Sequence, residues 1–248
     1  MLKWITDKFT NYKPNRAIAI RAMRHLSLLD RRNLFSEDIK LMRTAEGYWF
    51  ESLIYDQLLK ISNDCDEIKL IVRKGADVIK YKLHNKIKVN GLYSADRGGI
   101  RVCGNRQDLA EVDMLLLNNK NQVVFCEMIT SSADLKEFED EIIYKKYLFG
   151  YMFQQKDVGF ILFSSVDIKN TNFVKWLVSD PNNAYIETRT CEEMKSVLQP
   201  LRLVRSISKI QVDNPKLISC ESLPTQKFNY KKLHDMALSK LFLAIKYN

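Results

Sequence analysis

Two acidic residues stand inside runs that are otherwise strongly apolar. Asp113 lies in Ala110-Glu111-Val112-Asp113-Met114-Leu115-Leu116-Leu117, Glu127 closes Gln122-Val123-Val124-Phe125-Cys126-Glu127, and Asn118 to Asn121 form a polar break between them. Apolar, partly β-branched segments around an Asn/Lys turn predict an antiparallel hairpin that brings the two carboxylates together. A divalent cation shared by Asp113 and Glu127 would offset the cost of burying them, because hard cations favour carboxylate oxygens. Glu111 is two residues from Asp113 and shares its strand face; that face reads either as a metal edge or as the polar side of a half-exposed strand. Glu127 follows a run that looks buried on both faces.

The pattern resembles the core of the PD-(D/E)xK nuclease superfamily, in which an Asp on one strand and a Glu-x-Lys on the next follow a helix carrying another Glu. Gly47-Tyr48-Trp49-Phe50-Glu51 looks like that Gly-x-x-x-Glu element, and Phe50, Leu53, Ile54, Leu58 and Leu59 recur at helical spacing, placing Glu51 near the start of an amphipathic helix. Glu-x-Asp with its apolar run, Asn/Lys turn and Val-Val-Phe-Cys-Glu is especially similar to the nuclease domain of CRISPR ancillary nucleases activated by cyclic oligonucleotides. The resemblance spans roughly Ala45 to Ser165 and leaves out their ligand-sensing domain.

The resemblance implies an α/β, restriction-endonuclease-like core of a mixed central sheet flanked by helices. It also implies Mg²⁺ or Mn²⁺ held by Asp113, Glu127, the Met128 backbone carbonyl and Glu51, hydrolysis of DNA or RNA, and room for a homodimer. One position departs: Glu-x-Lys here reads Glu127-Met128-Ile129, so the lysine that would stabilise developing phosphorane charge is missing. Lys145 or Lys146, on the helix expected over Asp134 to Phe153, could replace it. The alternative is a catalytically inactive nuclease-fold protein that binds nucleic acid or serves as a structural subunit.

Elements positioning these residues are legible around them. Residues 1–43 read as a basic helical leader, with Asn15 or Pro14 opening a helix through Leu29 and Ser36 capping the next. Residues 44–200 read as the nuclease core and 201–248 as a basic extension ending in an amphipathic helix from Asn229 to Tyr247. Within the core, strands are expected over Glu67 to Val72, Val78 to Val89, Asp157 to Val166 and Ala184 to Thr190, with helices over Thr171 to Val178 and Cys191 to Leu198. Gly91 to Gly104 reads as a glycine-rich loop that could approach a phosphate backbone, although it has no P-loop or dinucleotide-binding spacing.

The chain has 248 residues, 46 % hydrophobic and 28 % charged, with a net charge of +9, which suits one α/β domain with additions. No run approaches the ~20 apolar residues of a membrane span, and Met1 to Asn15 carries no secretory pattern, so an intracellular, cytoplasmic protein is expected. Five scattered cysteines with no Cys-x-x-Cys pair indicate neither a disulfide framework nor a zinc site. The positive charge suits a polyanionic partner. It concentrates at Arg16, Arg21, Arg24, Arg31 and Arg32 and again at Arg202, Arg205, Lys209, Lys227, Lys231 and Lys232. Tyr12, Phe228 and Tyr230 interleave with these, as stacking platforms do and as core residues also do.

Overall fold

A computed structural model describes residues 2–78, 90–95, 99–135, 137–198, 214–223, 225 and 229–235. In chain order the elements are α1 (Lys3–Phe9), α2 (Arg16–Ala22), α3 (Leu28–Asn33), α4 (Ile39–Asn63), β1 (Ile68–Val72), β2 (Gly91–Ser94), β3 (Ile100–Gly104), β4 (Gln107–Val112), β5 (Met114–Asn118), β6 (Val123–Ile129), α5 (Phe138–Phe153), β7 (Gly159–Ser164), α6 (Asn172–Ser179), β8 (Asn183–Glu187), α7 (Cys191–Lys195) and β9 (Leu217–Ile218). A mixed six-stranded sheet, ordered β8-β7-β6-β5-β1-β9, forms the centre, and β2-β3-β4 make a second, antiparallel sheet.

The expected hairpin is present, with Met114 opposite Cys126 and Leu117 opposite Val123. Its turn is fixed by the Asn118 side chain, whose Oδ1 accepts from the Lys120 and Gln122 amides. Strands β5, β6 and β7 are buried almost throughout, and the sheet divides two apolar layers. One contains Trp49, Phe50, Leu53 and Ile54 of α4 with Val124 and Cys126. The other contains Phe125 and Ile129 with Ile142, Phe149 and Met152 of α5. Successive residues of β6 therefore point alternately at α4 and at α5.

Several expected boundaries move. The first long helix breaks at Met23–His25, a 3-10 turn, after Asn15 caps α2 through the Ile18 amide. Asp38, not Ser36, caps α4, accepting from the Lys40 and Leu41 amides. That helix runs 25 residues through position 43 and places Glu51 at mid-helix, not near its start. Gly91–Gly104 is a β2-β3 hairpin, not a loop, because Leu92, Ile100 and Val102 alternate inward and are buried. The strand expected at Val78 to Val89 lies outside the described residues beyond Val78, as do most of the carboxy-terminal basic residues, Phe228 and the end of the last helix. Tyr12 is only 8 % exposed and packs edge-on against Phe9 at 5.5 Å, so it belongs to the core.

The leader is joined to the core by polar contacts as well as apolar ones. Arg24 makes a bidentate pair with Asp77 at 2.9 and 2.7 Å, and Tyr55 donates to the same carboxylate at 3.0 Å. Buried Asp56 lies 3.5–3.6 Å from Arg21, Arg24 and His25, just beyond hydrogen-bond reach for its oxygens. At the other end, Glu46 of α4 pairs with Lys195 of α7 at 2.5 Å. None of the five cysteines is in a disulfide and all are buried, and no described helix is long and apolar enough to cross a membrane.

Candidate acidic site at the end of the sheet

The sheet register brings the acids together. Met114 faces Cys126, so one step outward sets Asp113 beside Glu127; Ile71 faces Leu116, so the same antiparallel pairing, extended past the end of β1, carries Lys74 towards Asp113. Asp113 occupies the one-residue break between β4 and β5, where the chain passes from the small sheet to the large one. Its Oδ2 accepts from the Met128 amide at 2.7 Å, which fixes the carboxylate across the strand pair. Glu111 instead faces Arg101 at 2.9 Å on an exposed strand, so the polar-face reading holds for Glu111.

Glu51 and Glu127 approach from opposite faces. Glu51 reaches the sheet end from α4, whereas Glu127, in step with Phe125 and Ile129, points towards α5. Asp113 lies between them. Burial, reinforced by the charge of Asp113, pushes the Glu51 carboxyl up to about 7, against the pull of Lys74. Burial and the same charge push Glu127 well above the carboxylate range, against the pull of Lys145. Among the described residues, no group of three or more His, Cys, Asp or Glu side chains is gathered closely enough to hold a metal. The opposed approach of Glu51 and Glu127 accounts for that.

Two lysines stand in the site. Lys145 of α5 donates to Glu127 at 2.6 Å and pairs with Glu141 at 2.6 Å. Lys146 turns away to Asp180 at 2.5 Å, so of the two candidates only Lys145 reaches the acids. Ile129, where the lysine of the resembled pattern would stand, is 4 % exposed in the layer beneath α5. Lys145 enters that same layer from the helix side.

Lys74, two residues beyond β1, is the residue that sequence reasoning missed. It is 2 % exposed, donates to Glu51 Oε2 and donates to the Asp113 carbonyl at 3.2 Å. Burial opposes its charge, but Glu51, Asp113 and Glu127 together outweigh that and hold the ammonium above its ordinary value. Lys145 is likewise held charged by Glu127 and Glu141. Lys74 and Glu51 open on a pocket of about 170 Å³, walled on its other side by His25, Leu26, Ser27 and Leu29 of the leader.

The turn after Lys74 depends on Gly75, whose φ is +56°. A Cβ there would lie 2.6 Å from His25 Nδ1. Gly75→Ala is expected to destabilise the protein in urea unfolding, since the left-handed backbone alone costs an L-residue about 1–2 kcal/mol and overpacking typically adds about 1–3 kcal/mol.

No known protein-family profile matches the chain, and no curated protein matches it significantly.

Proposed function

We infer that the protein is a divalent-metal-dependent nuclease with a restriction-endonuclease-like core, hydrolysing phosphodiester bonds in DNA or RNA. The observation that carries this reading is the charge balance at the sheet end. Asp113 stands between two ion pairs, Glu51 with Lys74 and Glu127 with Lys145, and exposed Glu141 closes on Lys145 from outside. Counted as charged, the carboxylates exceed the ammoniums by two; burial first, and the charge of Asp113 after it, raise the affinity of Glu51 and Glu127 for protons. The donors are all oxygens, as a hard cation of charge +2 prefers. The order of α4, β1, β5, β6, α5 and β7 matches that of the resembled nuclease core.

Asp113, Glu127 and the Met128 carbonyl would hold Mg²⁺ or Mn²⁺, with Glu51 in support. A cation held there would supply Lewis acidity towards a phosphoryl oxygen and towards the attacking water. Lys74 and Lys145, both kept protonated, supply positive charge to the phosphorane rather than acting as bases. Glu51, whose buried carboxyl is raised to about 7 in the metal-free protein, would join the site as a carboxylate once a cation is held there.

The decisive assay is cleavage of labelled single- and double-stranded DNA and of RNA with Mg²⁺, Mn²⁺ or EDTA, alongside Asp113→Ala and Glu127→Ala. Metal-dependent cutting lost in both variants supports the reading. No cutting, with binding that weakens as salt rises, favours a catalytically inactive nuclease fold, to which the ion pairs already made by Glu51 and Glu127 lend support.

A pH dependence follows from Glu51. Its folded carboxyl binds a proton more tightly than the unfolded one, so its contribution to metal-free stability is fully present below about 4.5 and is lost as pH rises through about 7. Metal needs the deprotonated form. Thermal melts are therefore expected to show stabilisation by Mg²⁺ at pH 8 and little at pH 5, with a gain of about 2.7 kcal/mol at 100 times Kd.

A further inference from the structure

We propose that His25, with Arg24 beside it, is a positioning residue for Lys74, so that the leader sets the cation of the acidic site. The catalytic consequence rests on the nuclease reading; the placement of Lys74 does not. The contacts form an unbroken path from leader to ammonium. The Ala76 amide donates to His25 Nδ1 at 3.1 Å, Arg24 grips Asp77 with two hydrogen bonds, and the Lys74 amide reaches the Tyr55 hydroxyl at 3.4 Å. The whole turn 74–77 is thus held from one side by the leader and from the other by α4. The imidazole lies against Gly75, in the space a Cβ would need.

The geometry also assigns the ring. Nδ1 accepts from an amide, so the proton sits on Nε2, which faces Asp56 Oδ1 at 3.6 Å. Tyr55 packs edge-on against the ring with centroids 5.2 Å apart. His25 is therefore fixed in position and tautomer by α4 and presents one acceptor to the turn. If that acceptor is lost, nothing in the leader bonds to the Ala76 amide, and the turn that aims Lys74 between Glu51 and the Asp113 carbonyl is held by Arg24 and Tyr55 alone.

Two isosteric variants separate positioning from packing. Asparagine places an amide oxygen near Nδ1, whereas glutamine reaches the Nε2 position. His25→Asn is expected to preserve the site, and His25→Gln and His25→Ala to disturb it. The primary readout is the buried Lys74 ammonium in ¹⁵N-detected NMR, assigned by its absence in Lys74→Met. It should be retained in wild type and His25→Asn, and shifted or broadened in the other two, with circular dichroism at the measurement temperature showing each variant still folded. With a cleavable substrate, kcat should fall about 10–100-fold, as for outer-shell partners, with KM unchanged.

An unmoved Lys74 signal in His25→Gln and His25→Ala overturns the proposal. Variants that simply unfold also overturn it, because His25 would then be a structural residue. A protein that cuts nothing removes the nuclease reading, while the NMR signal still decides whether His25 places Lys74.

Discussion

Asp113→Asn is expected to abolish Mg²⁺-dependent cleavage while leaving the fold intact. The asparagine oxygen can still accept from the Met128 amide, which the aspartate accepts at 2.7 Å, so the strand pair keeps its cross-link. What disappears is the central negative charge, the one that Glu51, Lys74 and Glu127 all feel. The loss of rate should exceed the roughly 100-fold upper end for partners one shell out from a metal, because Asp113 is assigned to the metal itself. The same variant should relieve the proton affinity of Glu51 and Glu127, so the metal-free protein should become more stable at pH 8. Single-turnover cleavage and urea unfolding check the two halves separately. A rate within a few-fold of wild type would remove Asp113 from the metal site.

Lys145→Met should have the largest effect on stability. Lys145 is 4 % exposed and holds Glu127, itself 8 % exposed. Removing one member of a buried pair leaves the other charge uncompensated and typically costs about 3–5 kcal/mol. The sign with pH is definite. Glu127 already binds its proton more tightly in the folded state, and losing Lys145 tightens it further. The cost should therefore be small while Glu127 keeps its proton and grow as pH rises through its raised folded value. Urea unfolding at pH 4.5 and pH 8 measures this, and an equal loss at both values would show that Lys145 acts through packing alone. Lys146→Met, which frees only a partly exposed Asp180, should be nearly neutral by comparison.

The acids were legible because they interrupt apolar runs: Asp113 and Glu127 flank a hairpin whose turn and strands both have strong local signals. The same holds for β7, an unbroken apolar run, and for α6, which opens on Thr171 as its cap. Gly91–Gly104 misled for a physical reason, since its glycines outweighed an inward alternation of only a few residues. The break at Asp113 left no local mark either, because a strand that changes sheets reads as continuous. Lys74 was invisible for a different reason. Its partners are Glu51, 23 residues back, and Asp113, 39 residues on, and no periodicity encodes such distances. The signal that could have found it is topological: once β1 is paired antiparallel to β5, the residues just past the end of one strand must lie near the residue preceding the other.

The single-residue break that carries Asp113 joins the three-stranded sheet to the six-stranded one. Its two chain neighbours are each locked into a different ladder, Val112 opposite Ile100 in the smaller sheet and Met114 opposite Cys126 in the larger. The carboxylate at the centre of the charge cluster is thus aimed by both sheets at once, and a change in the packing of either is felt at the site.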